Sequence, residues 1–141
     1  MIDSYARVEA VRAAFAAGEI VVVTDDDDRE NEGDLFVAAS LCTPEKMAFV
    51  IRHTSGIVCA PLAADEARRL RLDPMVANND APLGTAFTVS IEARVGVTTG
   101  ISAADRAHTI QVAVSASVPA GASGKFVLRV QQANPTRCSG S

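Results

Sequence analysis

The residues best equipped for chemistry lie in one stretch. Positions 25 to 34 read Asp-Asp-Asp-Asp-Arg-Glu-Asn-Glu-Gly-Asp, seven carboxylates and one guanidinium in ten residues. The whole chain carries a net charge of -4, so the remaining 131 residues are net basic by two. A solvated acidic loop is the bland reading of such a run. Its composition also suits a ligand. Carboxylates are hard oxygen donors fit for Mg²⁺, and one guanidinium can clamp a phosphate or a carboxylate. Gly33 allows a sharp backbone turn beside such a ligand. A calcium-binding helix-loop-helix is the obvious rival. With Asp28 in its first position, Glu30, Glu32 and Gly33 fall at the third, fifth and sixth, but the twelfth is Ala39, where a bidentate glutamate is required. The rival fails.

Two apolar runs must hold this stretch. Ile20-Val21-Val22-Val23 is β-branched and predicts a strand buried on both faces; Leu35 to Ala39 predicts a second. The acidic segment is then a loop between core strands, a favoured place for catalytic groups. Before it, Asp3 or Ser4 caps a helix whose apolar positions are Val8, Val11 and Phe15, and Gly18 ends it. After it, Thr43-Pro44-Glu45 starts a helix that continues through Met47, Phe49, Val50 and Ile51 and stops at Gly56. Ile57 to Ala60 predicts a strand closed by Pro61, Asp65 to Leu70 a polar helix, and 78–84 a loop. Thr88 to Ile91 alternates like a half-exposed strand, and Ser102 with Asp105 caps a last helix running through Ile110 and Val114. Interleaved strands and helices imply an α+β (α/β layered) fold, a mixed β-sheet covered by helices.

Composition sets the outer limits. The chain has 141 residues, 48% of them apolar, enough for one packed domain and too apolar for disorder throughout. No apolar run reaches the ~18 residues of a membrane span, and the first twelve residues lack the apolar core of a secretory signal. The acidic balance argues against nucleic acid as a partner. A cytoplasmic protein that binds neither nucleic acid nor membrane is expected. Cys42, Cys59 and Cys138 are odd in number and form no CxxC, so they read as structural thiols. No Asp or Glu follows Asp105.

The block Val21 to Leu35, VVVTDDDDRENEGDL, resembles the signature of the 3,4-dihydroxy-2-butanone 4-phosphate synthases of riboflavin biosynthesis. Three further blocks resemble the same family in the same order: Arg52-His53-Thr54-Ser55-Gly56 with Cys59 and Pro61-Leu62, then Gly84 to Ser90, then Thr99 to Ile110. The resemblance implies that family's fold and a lyase requiring Mg²⁺, or Mn²⁺, that converts ribulose 5-phosphate to 3,4-dihydroxy-2-butanone 4-phosphate and formate. It further implies a homodimer. Carried over by motif, Arg29, Glu30 and Asp34 contact the substrate, and Glu30 also binds the metal. Glu30 and Asp34 are the catalytic carboxylates, with Glu32 beside them in the same loop. Thr109 is a candidate near the substrate phosphate. Cys59 matches a position close to the pocket and receives no catalytic role.

Past Val114 the resemblance ends. The family continues with PGHxFPL and then RxGHTEAAVDL, whose His is its second metal ligand. Here the chain reads SASVPAGASGKFVLRVQQANPTRCSGS. Residues 124–129 faintly echo the first segment, with Lys125 in place of its His. His53 and His108 lie in other blocks and read as structural or surface residues. The expectation is the N-terminal part of a synthase domain over residues 1–114, C-terminally truncated or frameshifted, then a divergent disordered tail over 115–141. Two functions stay open: the lyase, or a non-catalytic fragment that binds metal or sugar phosphate weakly or pairs with a full-length subunit.

Overall fold

Two antiparallel strands carry the acidic decapeptide, and the remaining elements brace that hairpin. The computed structural model describes residues 3–117 and 127–131. The order is α1 (Ser4–Ala16), β1 (Val21–Thr24), β2 (Gly33–Ala38), a 3-10 turn (Ala39–Leu41), α2 (Pro44–His53), β3 (Ile57–Cys59), α3 (Ala64–Arg69), α4 (Ala103–Ser117) and β4 (Val127–Gln131). The described strands form one sheet in the order β1-β2-β4-β3. The α+β expectation holds. Every pairing among these strands is antiparallel, however, where a mixed sheet was expected.

Helix boundaries follow the capping chemistry. The Asp3 side chain accepts from the Tyr5 amide at α1, and Gly18 leaves that helix at φ 82°, a conformation glycine takes without a Cβ penalty. Thr43 accepts from the Lys46 amide at α2, with Pro44 in the first turn. At α4 the Ser102 hydroxyl accepts from the Asp105 amide at 3.0 Å.

The core lies between β2, α2 and α4. Val37, Cys42, Met47 and Val50 are fully buried, and Ala107, Ile110 and Val114 present one face of α4 to them. The Gln111 side chain adds a 3.0 Å hydrogen bond to the Cys42 carbonyl. Burial also pushes the Cys42 thiol above its ordinary pKa, as expected of an inert core cysteine.

Three expectations need correction. The apolar stripe of α1 is not core: Val8 is 56% and Val11 36% exposed, because α1 stands off the sheet across an open cavity of about 750 Å³ lined by Phe15, Val21, Val23 and Phe36. β1 is not buried on both faces either, because Val22 lies on the face opposite that cavity. It is an edge strand of the described sheet, and Val22 is 61% exposed. Thr88 to Ile91 forms no strand. A single bridge joins Pro74 to Thr88, flanked by Met75 N–H donating to Phe87 O and Val89 N–H to Asp73 O. Proline has no amide to extend that ladder.

Regular structure is described on both sides of residue 114. α4 continues to Ser117, and Val127–Gln131 lies between β2 and β3, its Cα partners running from Asp34 to Ala38 on one side and Ile57 to Cys59 on the other. A pattern read for one strand in an otherwise small-residue tail gives no sign of this long-range pairing. The rest of the expected tail, 118–126 and 132–141, lies outside the described residues.

α4 also pins the irregular segment ahead of it. The Asp105 carboxylate, 5% exposed, accepts from the Thr98 hydroxyl at 2.7 Å and from the Thr98 and Gly100 amides at 3.1 Å each. The Thr98 hydroxyl is the main influence holding the Asp105 pKa below its ordinary 3.8, and it prevails over burial, which pushes the other way. His108 Nε2 lies 2.9 Å from Val95 O, and Thr109 accepts from the Ala93 amide at 3.0 Å.

Two predictions follow from this packing. Met47→Ala removes a fully buried side chain and should cost about 2–5 kcal/mol in urea denaturation. Asp105→Asn should lower Tm at neutral pH. Because the folded-state pKa of Asp105 is depressed, its contribution is present above 3.8 and is lost as pH falls through the folded value. The Tm gap between wild type and variant should therefore close in acid; a pH-independent gap would contradict this assignment.

Candidate functional site

The acidic segment is a hairpin turn with defined geometry. Thr24 pairs with Gly33 at the end of the ladder, and the Asp25 amide continues it by donating to the Glu32 carbonyl at 3.1 Å. Within the turn the Arg29 amide donates to Asp26 O at 3.0 Å, and Asn31 adopts φ 50°, a left-handed conformation that asparagine tolerates. Six carboxylates are thus spread around a closed turn, and the seventh, Asp34, follows on β2.

Arg29 and Glu30 meet at its centre. Arg29 Nη1 donates to Asp25 Oδ2 at 2.5 Å and to Glu30 Oε2 at 3.1 Å. The side chains of Asp25 and Glu30 are only 14% and 15% exposed, while that of Arg29 is 46% exposed. A guanidinium with one face on two carboxylates and the other toward solvent can receive an anionic ligand. Burial opposes ionisation of Asp25, yet the Arg29 side chain, the Glu30 and Asp26 amides and the Arg29 charge together hold its pKa below the ordinary value.

Asp34 sits at the base of the turn on β2, opposite Val23 and Gln131, and is 5% exposed. Strand alternation places it on the face of β2 that carries Phe36, opposite the face that carries Val37. Glu32 is half-buried, and its carbonyl closes the turn. Arg29, Glu30, Glu32 and Asp34 are therefore all on one hairpin, as the sequence reading expects.

Thr109 is not brought to that hairpin. It is buried on α4, donates its hydroxyl proton to Asp105 O at 2.9 Å and accepts from the Ala93 amide. It lines a separate cavity of about 220 Å³ with Leu70, Leu72, Ile91 and Val112, and none of residues 25–34 lines that cavity. His108 contacts Val95 O, and His53 packs on Phe49 with ring centroids 4.5 Å apart.

The sequence reading missed two residues. Asp25 organises the turn, and the signal was its spacing four residues ahead of Arg29. Arg106 donates to Gly56 O at 2.9 Å and to Ile101 O at 2.8 Å, joining the start of α4 to the turn before β3. That link spans fifty residues of sequence and has no local signal.

The residues fit a divalent ion in part. Glu30 already holds a cation, the Arg29 guanidinium, on a half-buried carboxylate. Mg²⁺ keeps several waters and needs only one or two protein carboxylates. Among the described residues no group of three or more His, Cys, Asp or Glu side chains converges on a common ion position. A divalent ion here would have Glu30 as a protein ligand and would need water for most of its shell.

The profile of the 3,4-dihydroxy-2-butanone 4-phosphate synthase family matches residues 9–131, reaching through β4. The chain is 56% identical over 113 residues to a 3,4-dihydroxy-2-butanone 4-phosphate synthase of Shewanella loihica, covering 80% of this chain and 52% of that protein. It is likewise 56% identical to the riboflavin biosynthesis protein RibBA of Salinispora arenicola, covering 79% of this chain and 26% of that one. Its fold is similar to a crystal structure of a 3,4-dihydroxy-2-butanone 4-phosphate synthase in complex with two magnesium ions, at TM-score 0.74 and 42% identity, covering 92% of this chain and 61% of the other. It is also similar to RibBX, a two-domain synthase from A. baumannii, at TM-score 0.75 and 36% identity, covering 92% and 48%. The chain spans about half the length of the Shewanella relative it matches. By profile, sequence and fold together, the chain belongs to the 3,4-dihydroxy-2-butanone 4-phosphate synthase family.

Proposed function

We propose that the hairpin is the cation- and substrate-binding element of a lyase that converts ribulose 5-phosphate to 3,4-dihydroxy-2-butanone 4-phosphate and formate. The observation that carries this reading is the Arg29–Glu30 pair, an exposed guanidinium on a half-buried carboxylate in a closed turn next to Asp34. Glu30 holds the divalent ion, Mg²⁺ or Mn²⁺, and contacts the sugar. When bound, that ion supplies electrostatic stabilisation to negative charge developing on substrate oxygen.

The chain's own residues do the remainder. Arg29 turns the exposed part of its guanidinium toward substrate oxygen and orients the sugar phosphate on the turn. Asp34, fixed by strand pairing on both sides, contacts a sugar hydroxyl and exchanges a proton with it. Glu32 is the second carboxylate in reach of that exchange. Rearranging a carbon skeleton before formate leaves demands that one conformer be held, and a turn closed by its own main chain provides that rigidity. Thr109 serves this site as scaffold by holding Ala93 against α4.

A second reading draws on the donor count. With no three-ligand cluster among the described residues, the chain can bind cation or sugar phosphate weakly without turnover, or pair with a longer copy. We also propose homodimer formation. The open apolar cavity beside α1 and the exposed valines of β1 support it by offering surface for a second copy to bury. Sedimentation velocity should then show two chains per particle, and a monomer at all concentrations would refute it.

Purified chain, ribulose 5-phosphate and Mg²⁺ should yield formate, detected by a coupled assay. Glu30→Gln and Asp34→Asn should each lower that rate by about 100-fold or more with the fold intact by circular dichroism. A folded wild type that binds Mn²⁺ but releases no formate would sink the lyase and support the second reading.

A further inference from the structure

Asp25 touches both members of the central pair, and its side chain is only 14% exposed. Its Oδ2 takes two donors, Arg29 Nη1 at 2.5 Å and the Glu30 amide at 3.1 Å. Its Oδ1 takes the Asp26 amide at 2.5 Å, and its own amide donates to Glu32 O at 3.1 Å. One residue thus sets the side chain of Arg29, the main chain of Glu30 and the closure of the turn.

Arg29 is shared between two carboxylates through the same nitrogen, and the contact with Asp25 is shorter than that with Glu30, 2.5 Å against 3.1 Å. A guanidinium lying on a carboxylate competes with a metal ion for the same oxygens. A second carboxylate gives the guanidinium somewhere to stay when the ion arrives. We infer that Asp25 is a positioning residue that retains Arg29, so that Glu30 can exchange the guanidinium for a divalent cation while Arg29 stays beside it. This rests on the roles proposed above for Glu30 and Arg29.

The geometry separates this role from bulk charge. Asp27 lies in the same turn, carries the same charge and is exposed. Any effect of lost charge alone is common to both residues. Any effect of releasing Arg29 onto Glu30 belongs to Asp25.

The test uses the full chain labelled with ¹⁵N-arginine, as wild type, Asp25→Asn and Asp27→Asn, with Mn²⁺ as the probe. Without metal, the Arg29 guanidinium resonance, assigned through its loss in Arg29→Lys, should be protected from exchange in wild type and Asp27→Asn but not in Asp25→Asn. Mn²⁺ affinity by electron paramagnetic resonance should fall about 10- to 100-fold in Asp25→Asn. It should fall no more than about threefold in Asp27→Asn, where water and salt screen the charge. In an Arg29→Ala background, which lacks the competitor, Asp25→Asn should cost no more than Asp27→Asn. An unchanged Arg29 resonance in Asp25→Asn, or equal losses of affinity in the two variants, would overturn the inference. If Asp25→Asn does not fold, Arg29→Ala alone should raise Mn²⁺ affinity, and a fall would overturn it. A folded wild type that binds no Mn²⁺ instead refutes the cation reading, and the guanidinium spectra still decide whether Asp25 holds Arg29.

Discussion

Everything in the acidic turn depends on closing a loop of like charges. Seven carboxylates cannot be gathered without a counterweight, and the fold supplies three. The β1–β2 ladder brings the ends together, main-chain amides point into the turn, and Arg29 places one positive charge between Asp25 and Glu30. Repulsion then keeps the exposed acids Asp26, Asp27 and Asp28 facing water, while attraction draws the two flanking carboxylates inward. The same interaction that steadies the turn therefore leaves a half-buried carboxylate, Glu30, paired with a cationic side chain.

The rest of the molecule is a platform for that turn. β2 is its central plank, because its core face and both edges are engaged. Val37 enters the core with Met47 and Val50 of α2 and Ile110 of α4, while β1 and β4 pair along its sides. Asp34 stands where that plank meets the turn, so the position of its carboxylate inherits the rigidity of the sheet. α4 acts at a distance. Asp105, His108 and Thr109 fall at i, i+3 and i+4 on one face and fasten three points of the segment 93–100. That segment has no regular backbone pairing and owes its path to side-chain acceptors. By contrast α1 contributes little burial, and the open cavity beneath it leaves apolar surface uncovered.

Much of this was written locally. The caps at Asp3, Thr43 and Ser102, the glycine ends at 18 and 56, and the apolar runs flanking the acids all act within a few residues, so their elements fall where the sequence places them. The loop between two strands was legible for the same reason, since Arg29, Glu30 and Asp34, with Glu32 beside them, span only six positions. What failed was any inference about how many sides of an element are covered. Val8, Val22 and Ile91 have the composition of core residues, yet only packing across the chain determines whether an apolar face finds a partner.

The sequence by itself therefore determined the family, the hairpin and the kind of chemistry its residues can support, because those are properties of short, ordered motifs. Tertiary structure alone decided three things. It inserted β4 between β2 and β3, a pairing between segments about ninety and seventy residues apart. It committed the Thr109 hydroxyl to the Asp105 carbonyl and the Ala93 amide. And it turned Asp25, one aspartate among four in a row, into the acceptor that holds Arg29 and Glu30 in place. Four consecutive aspartates are chemically identical as a sequence; the direction each carboxylate faces exists only once the turn has closed.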